Sequence, residues 1–194
     1  TAYSPSIANI LDGKIDLILV GDSLGSTLYG MKNTQGVTMD MMKNHGAVVN
    51  KAIKKSIKVL DMPYKTYDNK RDAFKNAKIL LDYCKPDLLK LEINKKKLVV
   101  LDHLVSKKIN IISHIGVTPQ SYKNFNKIKI LGKTKIEKKN LLKLAKESER
   151  LGARAVLLEC ITADTAKLIT ENVSIPTIGI GASKYCDGQV LVFD

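Results

Sequence analysis

Ile18-Leu19-Val20-Gly21-Asp22-Ser23 is an aliphatic run that halts on a carboxylate at the mouth of a loop, and the pattern returns at Val59-Leu60-Asp61, Leu88-Leu89-Lys90-Leu91-Glu92 and Ala155-Val156-Leu157-Leu158-Glu159. Runs this short and this aliphatic have the length of buried strands. Between them the period changes, and polar or glycine-bearing loops lead into stretches with apolar residues at helical spacing. Strands are expected at Thr1 to Tyr3, Asp16 to Val20, Ile57 to Asp61, Leu88 to Glu92, Asn110 to His114, Ala155 to Cys160, Thr177 to Ile180 and Gln189 to Phe193, eight in all. Helices are expected near Ser6 to Asp12, Met39 to Lys54, Arg71 to Tyr83, Lys97 to Lys107, Ile136 to Leu151 and Ala163 to Asn172. Thr162 reads as the N-cap of the last of these, and Gly152 as a helix C-cap. Regular β-then-α alternation argues for a parallel sheet, and eight strands argue for a (β/α)8 TIM barrel over an open doubly wound sheet.

Such barrels usually take ~250 residues. At 194 residues, the chain reads as one domain, 1–194, lacking the N-terminal helical segment and the last helix of the barrel. It opens on Thr1, which is compatible with a removed targeting peptide. No apolar run approaches the roughly 20 residues of a membrane-spanning helix. Cys84, Cys160 and Cys186 are odd in number and lack C-x-x-C spacing, which points to reduced thiols in a cytoplasmic protein.

The formal charge of +13 raises nucleic-acid binding as a function class. Almost all of it is lysine, with only Arg71, Arg150 and Arg154, whereas bidentate contacts to guanine or phosphate favour arginine. The lysines are spread from Lys14 to Lys184, as on a solvated surface. No nucleic-acid or membrane partner is therefore expected. The densest basic stretch, Lys123, Lys127, Lys129, Lys133, Lys135, Lys138 and Lys139 with Tyr122 and Phe125 interleaved, keeps an anionic ligand in view.

In a parallel barrel the carboxyl ends of the strands carry the active site, so Asp22, Asp61, Glu92 and Glu159 are expected on one rim. Two unit charges 4 Å apart repel by roughly 4 kcal/mol at an effective dielectric of 20, and ionised carboxylates gathered there call for a cation. Oxygen donors without His or Cys among the first three select a hard ion such as Mg²⁺ over Zn²⁺. A carboxylate left outside the coordination shell could serve as a general base. Lys90 precedes Glu92 by two residues, on the same side of the strand, and suits a substrate carboxylate. His114 closes another strand and either holds its loop or donates to substrate; His45 and His103 fall on helices. Gly21-Asp22-Ser23-Leu24-Gly25 also matches the G-x-S-x-G nucleophile elbow, but only 20 residues precede it and none forms an oxyanion loop.

Read together and in order, Thr1-Ala2-Tyr3, Val20-Gly21-Asp22-Ser23-Leu24-Gly25, Val37-Thr38-Met39-Asp40-Met41, Asp61-Met62-Pro63, Lys90-Leu91-Glu92, His114-Ile115-Gly116-Val117-Thr118-Pro119-Gln120, Leu158-Glu159-Cys160, Ile175-Pro176-Thr177-Ile178-Gly179-Ile180-Gly181-Ala182 and Asp187-Gly188-Gln189-Val190-Leu191 resemble the motifs of ketopantoate hydroxymethyltransferases. The resemblance implies a barrel enzyme that adds a hydroxymethyl group from 5,10-methylenetetrahydrofolate to 3-methyl-2-oxobutanoate, giving 2-dehydropantoate for pantothenate and coenzyme A synthesis through a Mg²⁺-stabilised enolate. It further implies that Asp22, Asp61 and Glu92 bind the metal and that Asp22, Ser23, Asp61 and Lys90 hold the keto acid. Glu159 would be the catalytic proton acceptor and His114 a substrate-positioning residue. A homo-oligomer, a decamer in the family, is implied as well, and the lysines of 123–139 would favour polyglutamylated folate. Ile93-Asn94, Ser183 and Gln35-Gly36 depart from the family pattern, all in loops. The alternative function is another Mg²⁺-dependent barrel lyase or aldolase acting on a 2-oxo acid.

Overall fold

The computed structural model describes residues 1–193. Residue 194, the last of the domain read from the sequence, lies outside them. The fold is α/β with parallel strands, and the chain divides into two compact units, Thr1–Lys90 with 192–193 and Leu91–Leu191. The boundary falls within one strand, so that strand belongs to both.

In the first unit, β1 (Leu17–Val20), β2 (Ile57–Asp61) and β3 (Leu88–Glu92) are neighbours in that order. Leu17 pairs with Ile57, Val59 with Leu88 and Asp61 with Lys90, all in parallel. Ile18, Val20, Val59, Leu60 and Leu89 are buried, the near-continuous apolar pattern of strands covered on both faces. Helices α1 (Pro5–Leu11), α2 (Leu24–Thr27), α3 (Met39–Ala52) and α4 (Lys70–Cys84) belong to this unit. Ser4, Thr38 and Asn69 cap α1, α3 and α4, each accepting a first-turn N–H that the helix cannot satisfy itself. Met42 and Val49 on α3 and Ala73, Ala77 and Leu80 on α4 turn their apolar stripes inward.

The second unit carries the end of β3, then β4 (Ile111–Gly116), β5 (Ala155–Glu159), β6 (Thr177–Ile180) and β7 (Gly188–Gln189), again in sequential order. Its helices are α5 (Leu98–Ser106), α6 (Lys135–Arg150) and α7 (Ala163–Thr170). Thr134 and Glu137 close a reciprocal capping box on α6. Gly152 ends it with φ +92, a left-handed position that glycine takes without a Cβ penalty.

Two local expectations are corrected. Thr1 to Tyr3 is not a strand, although Ala2 N–H donates to Leu19 O at 3.0 Å; one hydrogen bond does not make a ladder, and among the described residues the strands number seven rather than eight. The last strand starts at Gly188 and stops at Gln189, so 190–193 fall outside it. Thr162 occupies the N-cap position of α7 as expected, with its hydroxyl donating to Gly132 O at 2.9 Å. No helix among the described residues is long and apolar enough to cross a membrane.

Candidate active site

Asp61, the last residue of β2, is fully buried, and its register partner on β3 is Lys90, itself 5 % exposed. That pairing sets Lys90 Nζ 2.7 Å from Asp61 Oδ2. Burial pushes the Asp61 carboxyl up to about 7 against the opposing pull of the Lys90 ammonium, and the neighbouring Asp22 charge adds to the rise. Asp22, two residues past β1 and also buried, donates its backbone N–H to Asp61 Oδ2 at 3.3 Å. Asp61 Oδ1 has no hydrogen-bond partner among the described residues. A buried carboxylate oxygen left in that state is costly, and an oxygen-seeking cation is the chemistry that would satisfy it. Ser23 follows at the head of α2, and its Oγ lies 2.6 Å from the Tyr3 hydroxyl. That partner is a phenol and not an imidazole base, so the serine-nucleophile reading gains nothing here.

The second unit assembles its groups at the carboxyl ends of β3, β4 and β5. Glu92 is buried at the end of β3, and its Oε1 accepts the Gln120 backbone N–H at 3.0 Å. His114 is buried on β4, with Nε2 3.2 Å from Oε2 of Glu159, the last residue of β5. The Glu159 side chain keeps 20 % of its surface exposed, enough to meet a ligand. Backbone sterics set this approach. Gly116 pairs with Glu159 and has φ +98, and a Cβ there would sit 2.4 Å from Glu159 O. Directly after Glu159, Cys160 is held at φ +48, which turns the chain off the strand.

The carboxylates read from the sequence thus lie at or just beyond strand ends, with Asp22 and Lys90 each in contact with Asp61 in the first unit and His114 with Glu159 in the second. Among the described residues no group of three or more His, Cys, Asp or Glu side chains is placed to hold a metal ion. Two participants escaped the sequence reading of single residues, the Tyr3 hydroxyl on Ser23 and the Gln120 amide on Glu92. Their only sequence signal was membership of the quoted Thr1-Ala2-Tyr3 and His114 to Gln120 motifs, because neither partner is close in the chain.

Known proteins resemble this chain in sequence and in fold. The 3-methyl-2-oxobutanoate hydroxymethyltransferase of Pelagibacter ubique (strain HTCC1062) is 48% identical over 194 residues, which is 100% of this chain and 74% of that protein. That of Anaplasma marginale (strain St. Maries) is 43% identical over 194 residues, covering 70% of that protein. A putative phosphonomutase from Burkholderia cenocepacia J2315 superposes with a TM-score of 0.71 at 10% identity, over 92% of this chain and 75% of that one. A phosphonopyruvate hydrolase in complex with oxalate and Mg²⁺ gives 0.64 at 11% identity, over 92% and 65%. These two likenesses establish the fold and nothing of the chemistry. The ketopantoate hydroxymethyltransferase family model matches residues 1–194 from end to end, and the chain belongs to that family.

Proposed function

We propose that this chain transfers a hydroxymethyl group from 5,10-methylenetetrahydrofolate to 3-methyl-2-oxobutanoate, yielding 2-dehydropantoate. The observation that carries the reading is the buried Asp22, Asp61 and Lys90 cluster with its partnerless Asp61 oxygen, in a chain whose relatives bear that enzyme's name. Asp22, Asp61 and Glu92 would hold Mg²⁺, which supplies positive charge against the keto oxygen as negative charge gathers there. Ser23 and Lys90 hold the keto acid, the ammonium by a charge-assisted bond to its carboxylate. Glu159 takes the proton from C3, leaving a carbon nucleophile for the one-carbon unit, and His114 keeps the Glu159 carboxylate turned to that task. The three cysteines are free thiols, which supports a reducing, cytoplasmic setting for the reaction.

Deuterium exchange at C3 of the keto acid, followed by NMR without folate, isolates the proton transfer. Exchange should require Mg²⁺ and vanish in Glu159→Gln. Undiminished exchange in that variant or in excess chelator would overturn the assigned roles.

A further inference from the structure

Ser23 is joined to a line of polar contacts that leads away from the strand ends. Tyr3 is 1% exposed, and its hydroxyl lies 2.6 Å from Ser23 Oγ. The Tyr3 carbonyl is 2.7 Å from His45 Nδ1, and His45 Nε2 is 2.9 Å from the Tyr29 hydroxyl. A carbonyl carries only lone pairs, so Nδ1 must hold the ring hydrogen. In the neutral ring Nε2 then accepts from Tyr29, so the imidazole is oriented from both sides. Ala2 N–H on Leu19 O ties the same segment to β1. Tyr3 is thereby fixed along its backbone at two points, and its phenol is placed with little freedom.

The direction of the Tyr3–Ser23 bond is open while Ser23 has no further partner, since either hydroxyl can donate. An oxyanion beside Ser23 removes the choice. A carboxylate or keto oxygen has only lone pairs, so Ser23 must give it the Oγ hydrogen, and Tyr3 must then donate to Ser23. The result is a two-step donor chain, phenol to serine to ligand oxygen, in which each bond polarises the next.

We infer that Tyr3 is a positioning residue for the 2-oxo acid, acting through Ser23, with His45 holding the Tyr3 backbone. This rests on the proposed function, because it takes Ser23 as a substrate contact. With Ser23 donating to the carboxylate, whose charge does not change during proton removal, the bond is made equally before and during that step, so its loss should weaken binding without slowing the bound step.

A double-mutant cycle on the full chain tests the inference with Tyr3→Phe and Ser23→Ala, reading Kd for 3-methyl-2-oxobutanoate with Mg²⁺ and the C3 exchange rate at saturation. Melting without ligand confirms that each variant is folded. Tyr3→Phe should raise Kd about tenfold when Ser23 is present, leave Kd nearly unchanged in the Ser23→Ala background, and leave the saturated exchange rate as it was. An equal rise in both backgrounds, no rise at all, or a fall in the saturated rate overturns it. A wild-type chain that binds no 2-oxo acid removes the functional reading and this inference with it. Intact wild-type binding with an indifferent Tyr3→Phe removes the inference alone.

Discussion

Lys90 Nζ and Asp61 Oδ2 form a 2.7 Å ion pair between register partners on β3 and β2, with both side chains buried. A buried pair gains Coulomb energy but loses the hydration of both ions, and the two terms nearly cancel. Removing Lys90 alone is different, because Asp61 is left buried without its cation and must take up a proton to stay neutral. Lys90→Met should therefore destabilise the metal-free chain by about 3 kcal/mol, read by urea unfolding in chelator. Lys90→Met/Asp61→Leu, which removes both charges, should recover most of that loss while remaining inactive. If the double replacement is as unstable as the single one, the pair is a stabilising element and its retention needs no functional explanation.

His114 and Glu159 sit 3.2 Å apart on adjacent strands. On the proposed mechanism His114 orients the base without itself removing the proton. His114→Ala should lower C3 exchange roughly tenfold, the worth of one charge-assisted contact, whereas Glu159→Gln abolishes it. Equal losses from the two replacements would promote His114 to a direct chemical role.

The strand ends were legible in the sequence because they rest on local signals. A short aliphatic run, a carboxylate and a loop residue specify where β2, β3 and β5 stop, and Asp61, Glu92 and Glu159 are their final residues. The long helices followed from apolar spacing and caps in the same way. What was not legible depends on partners far along the chain. Ser23 and Tyr3 are 20 residues apart, and no periodicity links them. Helix α2 was missed because Gly25-Ser26-Thr27 reads as a loop and its N-cap residue makes no side-chain cap. Cys160 at φ +48 is equally invisible, since cysteine has no local preference for that region and the surrounding backbone imposes it.

Ser183 illustrates the same point at another position where the backbone is set by its surroundings. It has φ +147, in a region that residues with a Cβ rarely occupy. Such strain costs of order 1–3 kcal/mol. Its Oγ accepts the Tyr185 N–H at 3.2 Å, which offsets part of it. Ser183→Gly should stabilise the chain by about 1 kcal/mol after the loss of that bond and the added freedom of the unfolded glycine. A higher urea midpoint with an unchanged slope is the expected result, and a lower midpoint would show that the hydroxyl outweighs the strain.

Asp12 supplies a pH-dependent test outside the candidate site. Its carboxylate follows α1 and accepts backbone N–H groups from Lys54, Lys55 and Ser56 at 2.9, 2.9 and 2.8 Å, fastening the end of α1 to the loop before β2. The Ser56 amide bond is the largest cause that lowers this carboxyl from 3.8 to about 2. A depressed carboxyl binds protons more weakly in the folded chain than in the unfolded one. Its contribution to stability is therefore complete above the unfolded value and is lost as pH falls through the folded value. Asp12→Ala should melt below wild type by a margin that is constant from about pH 5 upward and closes between about pH 4 and pH 2. Melting followed by circular dichroism across that range checks it. A margin that holds steady or widens on acidification would mean that the loop is fastened by packing and not by the Asp12 charge.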